Sequence, residues 1–369
     1  LVGSEMCIRD RERAAPLALL LLMRANPQEA AASHVTDALA EAKIRPHNKV
    51  VPLVDINDRQ AIFQQARSRF RTALVPPDAP PEVDYAPHEL PATPLALITL
   101  AVLAAHGHRV AQSRSEIDVL KALWDQWELP RWKRTLEAAG GRGLLQTPEV
   151  WQEARERIAQ ALVAATLGRR FSAPEMVADW WKVHFPFQTV TARGERLDPN
   201  WLAQRLHALF PGVEKTWQLP SISPDPLADL VLMQQLARHP KLVTVALSAP
   251  EHGEEEATRN ARQCVEVLAR LWVRAKEEGE RRQVEGWMQV VAKHSAVWPS
   301  SAWTSLDQAL PNPDRTLALR SFLADFYQAR LTQSLPKEEQ AEVLITLGYA
   351  LSALGRREEA LAATREAEA

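Results

Sequence analysis

The chain has 369 residues, of which 46% are hydrophobic, and its Lys, Arg, Asp and Glu side chains leave a formal net charge of -2. This length and apolar content provide ample material for a folded core and indicate two or three structural units. The near-neutral charge gives no electrostatic reason to expect nucleic acid or an acidic membrane as a partner.

Residues 1–11, LVGSEMCIRDR, show no helical or strand period. They back-translate into a transposase adapter used to build sequencing libraries, so we treat them as an artefact outside the fold and expect the natural chain to begin elsewhere. Their two basic and two acidic residues cancel, so the net charge stays at -2. Cys7 belongs to this stretch. Cys264 then has no internal disulfide partner, which favours a reducing cytoplasm.

Residues 12–57 are consistent with the remnant of an α/β nucleotide-binding domain. Leu17–Met23 and Lys49–Asp55 are short apolar runs typical of strands, and the alanine-rich Pro27–Ala42 between them predicts a surface helix. The first run also resembles a secretory signal, but a signal must lie at the natural start of a chain. No other apolar run approaches the ~20 residues that a membrane span needs, so we expect no membrane partner.

Residues 58–148 predict a helical subdomain. Asp58 is placed to cap a helix whose apolar residues recur at three- and four-residue steps. The proline-dense stretch 76–92 predicts a linker that no helix crosses. Thr93 and Pro94 then open LALITLAVLAAHG, a helix that is apolar almost all round and therefore expected to be buried on all sides.

Residues 149–240 predict a winged-helix-like module, with ordinary helical packing as the open alternative. A long helix from Glu149 to Leu167 is followed by SAPE at 172–175, which predicts a capping box. Two further helices, NWLAQRLHALF and LADLVLMQQLARH, flank the extended piece TWQLPSIS. Residues 241–335 predict a helical connector.

Residues 336–369 resemble a tetratricopeptide repeat, a two-helix hairpin of about 34 residues. The matching positions are Leu347, Gly348, Ala350, Leu354, Gly355, Glu359, Ala360, Leu361 and Ala367. Gly348 and Ala360 are small where two antiparallel helices must touch, and Gly355 ends the first helix. Only one such repeat is recognisable, and since a single hairpin cannot bury its faces, we expect the array to continue beyond Ala369.

With this tail, the order of segments resembles the C-terminal half of STAND-class P-loop NTPases, the NACHT- and NB-ARC-like signalling switches of bacteria. The resemblance implies a mainly α protein with a small α/β remnant, a helical lid, a winged-helix-like module and a repeat array. It implies a nucleotide-sensing role for Arg24, which follows the first apolar strand, and a base-contacting role for Pro94. Ala92 replaces the family's glycine beside Pro94. Taken alone, Pro94 is a helix start and Arg24 a solvated strand end.

The phosphate-binding string G-x-x-x-x-G-K-[ST] does not occur in the sequence. We therefore expect no catalysis and no bound cofactor from this chain, with ATP and Mg²⁺ expected for an intact parent. His106 and His108 have no third ligand at zinc-like spacing, and nothing near Cys264 would activate its thiol. Tryptophans such as Trp180 favour packing because no basic groove accompanies them.

The leading hypothesis is therefore the receiving half of a cytoplasmic, nucleotide-dependent signalling switch whose helical repeats bind a protein. The sequence leaves the oligomeric state undetermined. One alternative is a non-catalytic repeat scaffold. A second is a STAND-type transcription regulator, although the helix NWLAQRLHALF offers only Arg205 for phosphate contacts, which argues against nucleic acid.

Overall fold

The computed structural model describes residues 58–368, apart from 76–79, 142, 190–193, 195, 211–216, 223–224, 248–252, 299 and 311–318. This described part is mainly helical and contains no β-strand. Its contacts divide the chain into two units, one ending at Pro130 and the other beginning at Arg131, a division that lies inside the predicted lid range 58–148. The predicted α/β remnant, with Arg24, lies outside the described residues.

The first unit is organised around one buried helix. Its helices are α1 (Arg59–Leu74), α2 (Pro94–Ala105) and α3 (Glu116–Ala122). The Asp58 carboxylate caps α1 by accepting the Ala61 N–H at 2.9 Å, and Thr93 caps α2 ahead of Pro94, both as the sequence predicts. All residues from Ala96 to Ala105 are buried, because α1 and α3 both pack against α2.

The proline-dense segment packs into the first unit, where the sequence predicts a linker. The Val83 N–H donates to the Ala104 carbonyl at 2.9 Å, which joins the segment to the end of α2. Tyr85 is buried, its ring lies edge-on to Phe63, and its hydroxyl accepts the Val110 N–H at 2.6 Å. Prolines prevent a continuous α-helix here, apart from a single 3₁₀ turn at Pro87–Glu89, but leave the apolar side chains free to pack, so the segment contributes to the core.

A π-helical turn precedes α4 (Leu129–Leu136). Over Leu123–Glu128 the chain widens, and the Leu129 N–H donates five residues back, to the Trp124 carbonyl. Pro130 lacks an N–H, and its ring would clash with the carbonyl four residues earlier in a regular α-helix. The wider turn relieves this clash, which gives the π-helix a local cause in the sequence.

After the end of α4, the second unit continues with four longer helices and one short helix. They are α5 (Pro148–Thr166), α6 (Pro174–His184), α7 (Pro199–Leu209), α8 (Asp225–Arg238) and α9 (Leu242–Leu247). Helix α5 packs against α8 and α9, and α6 packs against α7. The predicted capping box at 172–175 is wrong: α6 starts at Pro174, the N-cap is Ala173, and the Ser172 hydroxyl lies 3.2 Å from the Met176 sulfur. Proline is suited to the first helical position, which moves the start by one residue.

Extended residues 217–222 run beside the end of α5. The Leu219 N–H donates to the Phe171 carbonyl at 3.0 Å, and the Ile222 N–H donates to the Thr166 hydroxyl at 2.9 Å. Over the described part of 149–240 these contacts join a single extended segment to helices and do not form a two-stranded wing.

The C-terminal helices form a layered stack. They are α10 (Glu254–Arg274), α11 (Glu278–His294), α12 (Ser300–Ala309), α13 (Arg320–Arg330), α14 (Lys337–Ala353) and α15 (Arg357–Ala367). Helix α10 packs against α11 and α12, α11 packs against α13, α13 against α14, and α14 against α15. Each helix thus contacts the next in sequence or the next but one, the arrangement expected of stacked helical hairpins.

Gly168 allows α5 and α10 to approach through their main chains. Its φ of +117° ends α5, with the Arg169 N–H donating to the Ala164 carbonyl at 2.9 Å. A Cβ at this position would lie 2.8 Å from Asn260 Cα and 2.9 Å from Asn260 O. These are backbone atoms of α10 that no rotamer change can move, so only glycine fits.

We expect Gly168→Ala to lower the free energy of unfolding by about 2–4 kcal/mol, from the disfavoured φ and the main-chain clash together. Gly140→Ala is the matched control, since Gly140 has a φ of +99° but no atom within 4 Å of a built Cβ. It should cost only about 1 kcal/mol. Urea titrations measure both, and equal losses would show that the contact with α10 carries no cost.

Candidate functional site

Helices α14 and α15 form a hairpin joined by a three-residue turn. Gly355 adopts a φ of +78°, the Arg356 N–H donates to the Leu351 carbonyl at 2.9 Å, and the Gly355 N–H donates to the Ser352 carbonyl at 2.9 Å. These two bonds define a Schellman motif, in which glycine is preferred for its left-handed conformation. The turn reverses the chain and lays α15 along α14.

The inner face of this hairpin is closed by small residues. A Cβ on Gly348 would lie 3.0 Å from Thr364 Oγ1 and 3.4 Å from the Ala360 carbonyl oxygen. The other inner positions named by the repeat resemblance, Leu347, Ala350 and Ala360, are buried. Two further positions of the resemblance, Leu354 and Leu361, are 36% and 51% exposed and therefore lie on the outer surface.

An aromatic cluster supports the hairpin from the preceding helices. Phe326 of α13 stacks on Trp303 of α12 with ring centroids 4.0 Å apart, and Phe322 stacks on Phe326 at 5.4 Å. The Tyr327 hydroxyl donates to the Asp307 carboxylate at 2.5 Å. Burial, together with this carboxylate, raises the pKa of Tyr327 well above its usual range, so the phenol stays neutral and keeps donating.

Arg330 joins the aromatic cluster to α14. Its guanidinium lies over the Trp303 ring, 5.2 Å from the centroid, and bonds to Gln333 and to the Glu339 carboxylate. The Arg330 side chain is only 6% exposed, and Glu339 lies in the first turn of α14. A buried arginine must be paired, so this ion pair fixes where the hairpin begins.

The outer surface of the hairpin carries large apolar side chains. Ile345 and Tyr349 lie one turn apart on α14 and are 44% and 61% exposed. With Leu354 and Leu361 they account for four of the eight large exposed apolar residues in the described part of the chain. Such a concentration on one short hairpin is typical of a surface that contacts another molecule.

Charged groups flank these apolar side chains. Arg356 and Glu359 pair at 2.7 and 2.5 Å at the start of α15. Their hydrogen bonds raise the pKa of Arg356 and lower the pKa of Glu359 relative to their ordinary values. Both side chains are exposed, so the pair contributes little to stability and leaves a polar rim beside the apolar residues.

The residues named for other chemistry occupy structural positions. Pro94 is exposed at the first position of α2 and offers no hydrogen-bond donor to a ligand. Cys264 is fully buried in α10, and burial raises the pKa of its thiol to about 12, which suppresses the reactive thiolate. His106 packs on Trp127 with ring centroids 3.9 Å apart.

The described residues provide no fit for a nucleotide with its magnesium ion. No phosphate-binding loop occurs in the sequence, and no group of three His, Cys, Asp or Glu suited to a metal lies among the residues described.

The sequence predicts a helical connector for residues 241–335, whereas the structure shows that its helices are stacked on one another. A signal was present in α10, where Ala261, Val265, Leu268 and Leu271 recur on one buried face at three- and four-residue steps. The pairing of α11 with α13 could not be predicted because it depends on contacts between distant positions.

Within the residues described, no helix has the length and apolar character needed to cross a bilayer. Comparison with family models, with curated proteins and with solved structures finds no match for this chain.

We expect Gly348→Leu to destabilise the hairpin by about 1–3 kcal/mol, because the added side chain must displace Thr364 and the Ala360 main chain. Gly286→Leu in α11 is the control, since a Cβ there meets nothing within 4 Å. That change should stabilise by about 0.5–1 kcal/mol through helix propensity alone. Thermal unfolding measures both, and a stabilising Gly348→Leu would contradict the close approach of the two helices.

Proposed function

We propose that this protein acts through residues 254–368 as a helical-repeat module that binds another protein. The observation that carries this proposal is the exposure of Ile345 and Tyr349 on a hairpin whose inner face is already closed. Because the hairpin packs without them, these side chains remain available for a partner. Tyrosine in particular is enriched in the buried centres of protein interfaces.

The packing of the preceding helices supports the same proposal. Helices α10 and α11, and α14 and α15, pack as consecutive pairs, of which only the last resembles a tetratricopeptide repeat in sequence. Helix α12 packs against α10 and meets α13 through the stacked rings of Trp303 and Phe326. The helices thus pack on their neighbours in sequence, as in an array of helical repeats. The expected partner is a protein segment with a large apolar side chain that lies against Tyr349, beside the polar rim formed by Arg356 and Glu359.

The wider proposal is that this module receives the signal in a cytoplasmic switch of the STAND type. In it, residues 12–57 belong to a nucleotide-binding domain, residues 149–240 act as the winged-helix-like module, and an intact parent binds ATP and Mg²⁺. The order of segments and the repeat-like tail support it. The chain itself has no catalytic role in this scheme. A nucleotide would control partner binding only by favouring one of two arrangements.

Selection of a displayed random-peptide library on the full chain tests the binding proposal. Enriched peptides should share a large apolar residue and should bind Tyr349→Glu and Ile345→Glu at least about tenfold more weakly, since each change puts a charge into the contact. Val183→Glu is the matched control, because Val183 is 73% exposed on α6.

The same titrations show which outcome would remove the proposal. Peptides that bind the Tyr349→Glu protein as tightly as the unchanged protein would place binding elsewhere. Failure to enrich any peptide would argue against a peptide-binding surface. Circular dichroism on each variant confirms that the fold is retained, and Tyr349 alone suffices if Ile345→Glu does not fold.

A further inference from the structure

Three segments of the second unit enclose a small polar depression. The end of α5 and the loop after it form one wall, extended residues 217–222 the second, and the start of α10 the third. Its volume is about 140 Å³. Its lining includes Gly168, Arg169, Arg170, Leu219, Arg259 and Gln263.

Three of the lining residues are arginines and none carries a carboxylate. Arg170 is exposed, and in the described part of the chain it has no hydrogen-bond or ion-pair partner. Arg259 forms an ion pair with Glu256, whose carboxylate lies 3.7 Å from Nη2, too far for a hydrogen bond. Among the residues described at this position, the three arginines therefore outnumber this carboxylate, in a protein whose overall charge is -2.

Arg169 holds one wall of the depression in place. Its Nη1 donates to the Val245 carbonyl at 3.3 Å, and its guanidinium lies over the rings of Phe171 and Trp180. It contributes charge from a fixed position, while Arg170 is exposed and the Nη2 of Arg259 is buried and makes no hydrogen bond within the residues described. Guanidinium groups match the geometry of oxyanions through paired N–H donors.

The frame of the depression is rigid. Gly168 lies in main-chain contact with Asn260, and the Leu219 N–H donates to the Phe171 carbonyl at 3.0 Å. The Gln263 amide donates to the Thr166 carbonyl at 2.9 Å. This bond and the Schellman turn at Gly168 also satisfy carbonyls at the negative end of α5, which reduces their repulsion of an anion.

The size of the depression selects the class of ligand. Pockets for drug-sized ligands usually measure about 300–1,000 Å³, whereas one water takes about 30 Å³ of liquid volume. A volume of about 140 Å³ is below the usual range for drug-sized ligands and suits a tetrahedral oxyanion or a small ester of it. We infer that this depression, formed by Arg169, Arg170, Arg259 and their polar neighbours, binds a phosphate group. The inference is independent of the protein-binding proposal.

Isothermal titration calorimetry on the full chain at constant ionic strength tests the inference with inorganic phosphate. Arg170→Gln and Arg259→Gln should each weaken binding about fivefold, because each removes one charged, partly exposed contact. Arg262→Gln is the matched control: Arg262 lies on the same helix, pairs with Glu266 at 2.9 Å and does not line the depression. It should leave binding unchanged.

A second titration with glycerol phosphate distinguishes free phosphate from a phosphate monoester. Tighter binding of glycerol phosphate supports the monoester, and weaker binding supports the free ion. The inference is overturned if phosphate produces no more heat than chloride. It is also overturned if all three variants weaken binding equally, which would indicate a general charge effect. Arg170 is exposed, so its variant keeps the test valid even if Arg259→Gln fails to fold.

Discussion

The candidate interaction surface depends on the aromatic and ionic contacts between α12, α13 and α14. Trp303 and Phe326 stack at 4.0 Å, and Arg330 lies over the same tryptophan while pairing with Glu339. Without a partner for Arg330, a buried charge would remain, which is far more costly than the loss of a surface ion pair. The Arg330–Glu339 pair therefore holds the start of α14 in place, and this determines which side of α14 faces outward.

On the last hairpin, the position of a residue around the helix separates internal packing from external exposure. Gly348 and Ala360 allow the two helices to approach closely. Leu344, Leu347 and Leu351 of α14 are buried, whereas Ile345 and Tyr349 lie on its exposed side. Ile345 and Tyr349 add little to the packing of this hairpin, which leaves them available for a contact with a further repeat or with another protein.

Local signals in the sequence predicted the local features of the fold. Asp58 and Thr93 cap helices because a side-chain oxygen next to an apolar period needs no distant partner. The burial of α2 followed from its uniformly apolar surface. The capping box predicted at Ser172 is wrong because Pro174, which is suited to the first helical position, places the helix start one residue later.

Features that depend on distant contacts could not be predicted in this way. The packing of the segment around Tyr85 against α2, the stacking of α11 on α13, and the meeting of Arg170 with Arg259 each join positions far apart in sequence. No single stretch encodes them. The arginines in particular are separated by almost ninety residues, so neither one alone suggested a basic depression.

The contact at Gly168 limits how this protein can diverge. Most tight contacts between helices can be relieved by trimming the opposing side chain, so the two positions vary together among descendants. Here the opposing atoms are the Cα and the carbonyl oxygen of residue 260, which every amino acid possesses. No exchange at 260 can therefore compensate for a larger residue at 168. Lineages that retain this junction should keep the glycine whatever residue stands at 260.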